Sequence, residues 1–367
     1  MEKVSKVTII GVGLIGGSIG LALTKKKLCE RVCGVDEFSI IHNALERDVI
    51  TEGYTPAEME KALAGSDLVF ICTPIYSILN YFNQILEFLP DGTLVCDVGS
   101  TKSQIVHEAQ KYFNTSSAYF LGTHPMAGSE FKGIEASDAY LFENIVWVVT
   151  PFQKVPDDKV RMLGTILEQI GAKVLLLSPE LHDKIAAAVS HLPQMAAIAM
   201  TNLISRLQKD NPHFIRLAAG GFRDMTRIAS SPYSIWKDIC VTNKKQIAYF
   251  IDNYIEELKT LKKHLLEDKL ELDFENSNIT RLSIPKDTRG FMRPTYDVSV
   301  GVQDKPGVIA AISTALANEN INIKDIEVLK VREGEGGTFR MSFTSADDRK
   351  TAIKIIRDIG YSCYARE

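Results

Sequence analysis

Two short segments of the sequence carry residues that could bind a phosphate and accept a proton. The segment "GVGLIGG" places Gly11, Gly13 and Gly16 in the spacing G-x-G-x-x-G. Glycines at this spacing let a pyrophosphate approach the backbone and rest on the N-terminus of the following helix. The segment "GTHPMAGSE" contains His124, and histidine is the side chain best matched to proton transfer near neutral pH. Together the two segments predict an oxidoreductase with a nicotinamide cofactor and a histidine base.

The glycine-rich segment is expected to bind NAD, with the backbone of Leu14 and Ile15 opening the helix after the turn. The next predicted strand, "RVCGVD", ends in Asp36, about 20 residues further on, where a carboxylate accepts the ribose hydroxyls. That carboxylate would repel the extra phosphate of NADP, and "EFSI" offers no arginine to compensate. Thr73 and Pro74, at the end of "LVFICTP", are expected to line the same site. The alternatives are a glycine turn that binds nothing and an Asp36 that faces water.

Residues at the ends of two further predicted strands could complete an active site. Ligands of doubly wound folds collect at the carboxyl ends of the strands. Ser100 follows the strand "TLVCDVG", and His124 ends the strand "AYFLGTHP", where the next proline favours extended backbone. The small residues after that proline cannot bury an imidazole, so we expect His124 to face a cleft. A lone histidine can also be an ordinary core residue, and the residues alone leave that alternative open.

Polar residues in the later, helical part of the chain form a second candidate cluster for binding substrate. Arg223 and Arg227 are four residues apart in "GGFRDMTRIASS", so one helical face could present both to a carboxylate. A salt-bridged pair with Asp224 is the alternative. Ser190 and Gln194 interrupt an otherwise apolar helix. Buried polar groups need partners, so these two residues contact either a ligand or other groups of the core.

The order of the predicted elements describes an α/β protein with three domains. In residues 1–178, strand-like runs alternate with helical stretches, which predicts a Rossmann domain with a doubly wound parallel sheet. Residues 179–282 are predicted to be all-helical, and "HDKIAAAVSHLPQMAAIAMTNLISRL" predicts a buried helix that a partner subunit helps to cover. The polar segment "ENSNITRLSIPKDTRGFMRP" predicts a linker or extended connection, with the linker placed at residues 283–294. Residues 295–367 predict a ferredoxin-like βαββαβ module.

Composition and charge argue against several classes of function. A formal net charge of -4 and a pI near 6.0 argue against binding to nucleic acid or to an anionic membrane. No apolar run reaches the ~20 residues that span a bilayer, and no targeting segment is apparent, so we expect a cytoplasmic protein. The six cysteines form no C-x-x-C pair and the seven histidines show no ligand spacing, so no metal site is predicted.

Taken together, these motifs resemble those of the prephenate dehydrogenase family, the NAD(P)-dependent enzymes of tyrosine biosynthesis. The resemblance covers the whole chain and rests on "GVGLIGGS", "DVGSTK", "GTHPMAGSE", "AVSHLPQ" and "GGFRDMTRIASS". It implies a Rossmann domain, a helical dimerisation domain that forms a homodimer, and a C-terminal ACT domain marked by "DKPGVIAAI" and "NINIKDIEV". Because no chorismate mutase segment precedes Val4, we expect a monofunctional enzyme.

The resemblance also implies roles for the candidate residues. His124 would accept the proton of the ring hydroxyl of prephenate, and Ser100 would orient that hydroxyl and the histidine. Arg227 would bind a substrate carboxylate, while Glu130 and Ser190 would line or gate the site. The expected reaction is the NAD-dependent oxidative decarboxylation of prephenate to 4-hydroxyphenylpyruvate.

Gln194 and the ACT-like module carry further expectations. Gln194 departs from the family pattern, because some members have histidine there, so neutral hydrogen bonding must replace any charge-dependent role. In the ACT-like module, the resemblance implies tyrosine as a feedback inhibitor bound near the Pro306-Gly307 turn and the segment around Asn322. A purely structural, dimer-forming role of that module is the alternative.

Three other functions stay open. Arogenate, the amino analogue of prephenate, would follow the same mechanism. A hydroxyacid dehydrogenase of another family would share the nucleotide motif, but the catalytic lysine in an Asn-rich helical motif expected there is not found. A non-catalytic sensor of NAD and an amino acid would need no base, so the set of His124, Ser100 and Arg227 argues against it.

Overall fold

The computed structural model describes residues 4–127, 132–151, 155–284, 296–303, 305–332 and 336–366, without the side chains of residues 329–332. The chain divides into two compact units, Met1–Arg289 and Gly290–Glu367. The strands of the first unit are β1 (Lys6–Ile10), β2 (Arg31–Val35), β3 (Glu52–Tyr54), β4 (Leu68–Ile71), β5 (Leu94–Asp97), β6 (Tyr119–Pro125), β7 (Val146–Thr150) and β8 (Lys173–Leu176). The helices between these strands are α1 (Leu14–Lys26), α2 (Phe38–Glu46), α3 (Met59–Leu63), α4 (Ile75–Ile85), α5 (Ser103–Phe113) and α6 (Asp157–Gln169).

The strands of this unit form one eight-stranded sheet in the order β3-β2-β1-β4-β5-β6-β7-β8. Neighbouring strands are parallel except for β6 and β7, which pair antiparallel. The expectation of a wholly parallel sheet was therefore wrong at this pair. A parallel connection needs a crossover, usually a helix, whereas the described part of the connection between β6 and β7 contains a 3-10 turn at Ile134–Ala136. Strand β3 was missed because its three half-buried residues, "EGY", carry no β-branched signal.

Apolar side chains cover both faces of the sheet, as in a doubly wound fold. Successive residues of a strand point to opposite faces, so Ile9 and Ile10 of β1 enter different hydrophobic clusters. Ile19 of α1 packs in the cluster with Ile9, and Ile78 of α4 packs in the cluster with Ile10. The Rossmann architecture expected from the sequence is confirmed.

The rest of the first unit is helical. Its helices are α7 (Pro179–Ala186), α8 (Leu192–Leu207), α9 (His213–Arg216), α10 (Gly220–Thr226), α11 (Tyr233–Thr242), α12 (Lys244–Leu266) and α13 (Glu271–Ser283). A π-helical turn, Ala187–His191, joins α7 to α8. Pro193 explains this widened turn, because proline has no N–H to continue the regular hydrogen-bond ladder.

Two details of this helical part differ from the sequence-based expectation. The helix expected to be buried is covered on one side only, since Val189 and Leu203 are exposed within the chain. Helix α13 includes the residues "ENSNITRLS", so the prediction of a linker or extended connection is wrong for this part of the polar segment. Most of the predicted linker, residues 285–294, lies outside the described residues. Of the helices that the structure describes, none is long and apolar enough to span a membrane.

The second unit has the βαββαβ order expected from the sequence. Its elements are β9 (Tyr296–Val302), α14 (Val308–Asn318), β10 (Asp325–Arg332), β11 (Gly336–Phe343), α15 (Ala346–Asp358) and β12 (Ser362–Arg366). The four strands form an antiparallel sheet in the order β10-β11-β9-β12. One hydrophobic cluster joins the sheet to its helices through Val300, Ile312, Met341 and Ile356.

Candidate active site

The turn between β1 and α1 has the geometry that a dinucleotide requires. Gly11 has φ +93° and donates its N–H to the carbonyl of Val35 at 2.9 Å. A Cβ atom on Gly16 would lie 2.0 Å from the carbonyl oxygen of Gly11, so only glycine permits this close approach of helix and strand. At Gly13 a Cβ would meet nothing within 4 Å, which leaves open space at the start of the helix. The turn therefore combines tight packing behind the glycines with room for a ligand in front.

Polar groups beside the turn are placed to hold the rest of the cofactor. Asp36 accepts hydrogen bonds from the backbone N–H of Val12 and of Glu37, both at 2.7 Å, so its carboxylate is fixed at the end of β2. The Oγ1 of Thr73, just beyond β4, is buried and has no hydrogen-bond partner among the described residues. An unpaired buried hydroxyl is costly, and a bound cofactor would supply the missing partner. These groups fit a dinucleotide.

The remaining predicted cofactor residues lie around the same turn. Leu14 and Ile15 are half-buried first residues of α1, and Pro74 is the exposed residue that precedes α4. The first turn of α1 contains no acidic side chain, and no side chain caps it. Its backbone N–H groups and the positive end of its dipole therefore favour an anion at this position.

A buried ion pair fixes the ends of β5 and β6. Asp97, the last residue of β5, pairs with the ammonium group of Lys102, and both side chains are fully buried. The same carboxylate accepts the backbone N–H of Thr123 at 3.1 Å and of Gly99 at 2.8 Å. Burial lowers the pKa of Lys102, although the Asp97 carboxylate opposes that shift. The pair ties the backbone next to His124 to the loop that follows β5.

This arrangement brings Ser100 and His124 to the same edge of the sheet. Strands β5 and β6 are parallel neighbours, so the loop with Ser100 and the end of β6 with His124 lie at adjacent strand ends. Both residues are half-buried. The expectation that Ser100 and His124 lie at the carboxyl ends of strands agrees with the topology, and the structure shows that the two strands are neighbours.

His124 contacts a second histidine that sequence reasoning missed. Its Nδ1 lies 2.8 Å from Nε2 of His182, and His182 Nδ1 lies 2.9 Å from Oδ1 of Asp183. Burial is the main reason that the pKa of His124 falls well below its usual range, and His182, Lys102 and His191 lower it further. His124 is therefore a neutral imidazole near pH 7. The only local sequence feature near the contact is the His-Asp pair in the first turns of α7, and this pair alone does not distinguish a functional pair from a solvated helix start.

The polar residues of the π-turn and α8 are part of the structure around the site. Gln194 is 1% exposed and donates from Nε2 to the carbonyl of Ile228 at 3.0 Å, which ties α8 to the 3-10 turn Arg227–Ser230. Ser190 is half-buried in the π-turn. The pKa of the neighbouring His191 falls to about 4, because the ring is buried and His182 lowers it further, while Asp183 opposes the shift.

The predicted arginines lie on the surface of the helical part. Arg223 is exposed in α10, and Arg227 is exposed at the first position of the 3-10 turn that follows. Glu130, predicted to line or gate the site, lies outside the described residues. The structure thus groups Ser100 with His124 at the sheet edge, and Gln194 with the turn that begins at Arg227.

Comparison with known proteins assigns the chain to a family. The family model "Prephenate dehydrogenase, nucleotide-binding domain" matches residues 19–176, the model "Prephenate dehydrogenase, dimerization domain" matches residues 178–276, and the ACT domain model matches residues 296–361. The prephenate dehydrogenase of Bacillus subtilis is 34% identical over 357 residues, which cover 95% of each chain. The chain belongs to the prephenate dehydrogenase family.

Solved structures of this family have the same fold. Prephenate dehydrogenase from Aquifex aeolicus, in complex with hydroxyphenyl propionate and NAD+, matches with a TM-score of 0.70 at 29% identity, over 77% of this chain and 98% of that one. Synechocystis arogenate dehydrogenase matches with a TM-score of 0.68 at 27% identity, over 76% of this chain and 100% of that one. The predictions of an NAD-dependent oxidoreductase, with a Rossmann domain, a helical dimerisation domain and an ACT domain, are confirmed.

Proposed function

We propose that the protein catalyses the NAD-dependent oxidative decarboxylation of prephenate to 4-hydroxyphenylpyruvate. The observation that carries the proposal is the state of His124, a neutral base at the carboxyl edge of a nucleotide-binding sheet. Its Nδ1 is occupied by His182, so Nε2 is the nitrogen available to a substrate. NAD, held by the glycine turn and Asp36, would supply the acceptor for the hydride of the hydroxyl-bearing ring carbon.

His124 handles the proton of this reaction at its Nε2 atom. It accepts the proton of the ring hydroxyl, and the carbonyl formed there is conjugated through the ring to the carbon that bears the carboxylate. Loss of carbon dioxide moves the electron pair into the ring, which becomes a phenolate. The product is a phenol, so the proton on His124 returns to that oxygen and restores the neutral base. No net proton is produced, and aromatisation makes the step effectively irreversible.

Other residues bind and orient the substrate in this proposal. The Ser100 hydroxyl orients the ring hydroxyl toward His124, and Arg227 binds a substrate carboxylate with a bidentate guanidinium contact. Ser190 and Glu130 line or gate the site, and Arg223 adds positive charge one helical turn before Arg227. The buried hydrogen bond of Gln194 to Ile228 supports the turn that carries Arg227.

Arogenate is the second candidate substrate. It shares the ring chemistry and differs in bearing an amino group where the side chain of prephenate bears a keto group. The similarity of the fold to Synechocystis arogenate dehydrogenase favours testing both compounds.

The protein is proposed to act as a cytoplasmic homodimer. The dimerisation domain model covers the helical part of the chain, and that part exposes many large apolar side chains. A second copy of the chain would remove these side chains from water, as in the obligate dimers whose interfaces resemble a divided core. The most exposed of them include Val189, Leu217, Met225, Tyr233, Leu266, Leu272, Phe274, Ile279 and Leu282.

Tyrosine is the proposed regulatory ligand of the ACT domain. Pro306 and Gly307 line a cavity of about 370 Å³, together with Gln303, Val308 and Phe339. Gly307 has φ +88° at the N-terminus of α14, a conformation that favours glycine and opens the turn. Asn322, also predicted to contact the ligand, is exposed before β10 and does not line this cavity. Inhibition requires that tyrosine bind one global state better than another.

The test is NADH formation by the purified protein with NAD and either prephenate or arogenate, with and without tyrosine. We expect turnover with prephenate, 4-hydroxyphenylpyruvate as the product, and a lower rate with tyrosine. Turnover with arogenate alone would change the substrate and keep the chemistry. Turnover only with a simple hydroxyacid would favour the other dehydrogenase family. NAD binding without turnover on any of these compounds would favour a sensor.

A further inference from the structure

A continuous chain of hydrogen bonds leads from His124 to a buried carboxylate. His124 Nδ1 contacts His182 Nε2 at 2.8 Å, and His182 Nδ1 contacts Asp183 Oδ1 at 2.9 Å. The two imidazole planes meet at 72° with their centroids 5.1 Å apart, which excludes stacking as the reason for the contact. His182 is 2% exposed and Asp183 is 3% exposed.

The carboxylate at the end of this chain is held firmly. Asp183 accepts the backbone N–H of Lys102 at 2.7 Å and of Ser103 at 2.9 Å, both at the N-terminus of α5. Burial alone would raise the pKa of Asp183, but these hydrogen bonds, with those from the His182 and Ser103 side chains, hold that pKa below its usual value. Asp183 is therefore a carboxylate, and a carboxylate only accepts hydrogen bonds.

With a neutral His182, that carboxylate determines the position of every proton in the hydrogen-bonded chain. Because Asp183 accepts, His182 must carry a proton on Nδ1. A neutral His182 then has a lone pair on Nε2, and this atom accepts a hydrogen bond from His124. His124 must therefore carry its proton on Nδ1, which leaves the lone pair on Nε2.

The ring of His182 lies between the Asp183 carboxylate and a set of apolar side chains. The ring lines an apolar cavity of about 270 Å³ together with Met126, Val148, Leu175 and Ile185. A charged imidazole would lose its hydration against these side chains. Near His124 the other titratable groups are Lys102 and His191, and both disfavour a positive charge on the His124 ring. A neutral acceptor next to His124 stabilises a positive charge on its ring less than a carboxylate in direct contact would.

We propose that His182 and Asp183 are positioning residues that fix His124 as the Nδ1–H tautomer, with Nε2 directed to the proton of the substrate hydroxyl. When Nε2 accepts that proton, the Nδ1–H is already directed to a lone pair on His182, so the imidazolium forms without rearrangement of the ring. Asp183 holds His182 in this orientation. Its negative charge also stabilises the imidazolium of His124, from the far side of the His182 ring. The part of this inference that concerns catalysis rests on the proposed function, whereas the tautomer does not.

The direct test is nitrogen NMR of the full-length protein labelled with 15N in its histidine rings. Long-range 15N–1H spectra separate protonated from unprotonated ring nitrogens, and His124→Asn identifies the signals of residue 124. We expect a protonated Nδ1 and an unprotonated Nε2 for His124 at pH 7.5. A protonated Nε2 on the neutral His124 ring would overturn the inference, whatever the activity of the enzyme.

Matched variants test whether His182 acts through its acceptor atom. His182→Leu removes the acceptor, whereas His182→Gln retains an oxygen that can accept from His124. The control is His107→Leu, which makes the same change at an exposed histidine of α5. We expect His182→Leu to lower kcat by roughly 100-fold with KM changed less than about 3-fold, and His182→Gln to recover at least a tenth of the activity. The control should keep wild-type kinetics.

A second measurement keeps the test decisive if His182→Leu folds poorly. Asp183→Asn leaves His182 in place but weakens its orientation, so the unique tautomer of His124 should be lost in the NMR spectrum. A kcat and a His124 tautomer that are both unchanged in Asp183→Asn and in a folded His182→Leu would overturn the inference. The expected wild-type spectrum without turnover of prephenate or arogenate would refute the proposed function and leave the tautomer assignment standing.

Discussion

The two ends of the candidate active site are built in different ways. At the sheet edge, His124 is held by a hydrogen-bonded chain of buried groups and by the buried pair of Asp97 and Lys102. At the helical end, Arg227 is exposed at the start of a short 3-10 turn, and a hydrogen bond from Gln194 joins that turn to α8. Under the proposed function, buried hydrogen bonds preorganise the proton acceptor, whereas the proposed carboxylate-binding residue lies on an exposed turn. Changes at the first end should alter kcat, and changes at the second should alter KM.

The largest effect is expected at the preorganised end. His124→Asn should lower kcat by roughly 10²- to 10⁴-fold, because general-base catalysis contributes rate factors of that size. Steady-state kinetics with prephenate and NAD measure this effect. The dissociation constant for NAD, measured by fluorescence, should change little, because the nucleotide turn lies at the end of β1. A variant that keeps more than a tenth of the wild-type kcat would show that His124 is not the base.

The next largest effect is expected at the exposed end. Arg227→Ala should raise KM for prephenate by about 10- to 100-fold, which corresponds to the 1.5–3 kcal/mol of a charge-assisted hydrogen bond. The kcat should fall much less than KM rises, because a binding interaction is lost. Arg223→Ala is the comparison variant, and we expect it to raise KM less. An unchanged KM in Arg227→Ala would remove the distinction between the two ends.

The buried histidines should also make stability depend on pH. In the folded chain, the pKa of His191 is lowered from 6.5 to about 4, so between these values only the unfolded chain binds the proton. Stability is therefore complete above pH 6.5 and is lost as the pH falls toward 4. At pH 5, we expect His191 alone to reduce the free energy of unfolding by about 2 kcal/mol relative to pH 7.5.

Urea denaturation at the two pH values measures this loss. His191→Gln should reduce the difference between them, whereas His107→Gln, at an exposed position, should leave it as in the wild type. Equal pH dependence in all three proteins would contradict a neutral, buried His191.

The smallest effect is expected at the support of the Arg227 turn. Gln194→Ala removes the hydrogen bond to the Ile228 carbonyl, and an ordinary hydrogen bond contributes about 1 kcal/mol. We therefore expect KM for prephenate to rise by about 3- to 10-fold with kcat nearly unchanged. Steady-state kinetics of Gln194→Ala and of Arg227→Ala, measured under the same conditions, compare the two effects on KM. A larger loss in kcat than in KM would place Gln194 with the preorganised end.

The sequence predicted the parts of the site that depend on local pattern. The glycine turn, Asp36 and the strand ends with Ser100 and His124 could be found because each belongs to a strand-like, largely apolar run of a Rossmann fold. The contact of His124 with His182 could not, because it joins residues 58 positions apart. The "HD" of α7 has no periodicity that distinguishes a functional pair from a solvated helix start.

Other differences arose where tertiary structure overrides local signals. The antiparallel pairing of β7 with β6 depends on the path of a connection whose sequence shows no strand or helix period. The polar residues of α13 gave no apolar stripe, yet the segment is helical. The π-turn between α7 and α8 differs from these cases, because Pro193 indicates its place in the sequence.

The pH dependence of kcat/KM with prephenate tests the central claim most directly, because it reports the ionisation of the base in the free enzyme. A base kept neutral by burial beside His182 predicts an acidic limb with an apparent pKa well below 6.5, the ordinary value for histidine. That limb should be absent from the residual activity of His124→Asn. An acidic limb at or above 6.5 that His124→Asn leaves in place would contradict the account.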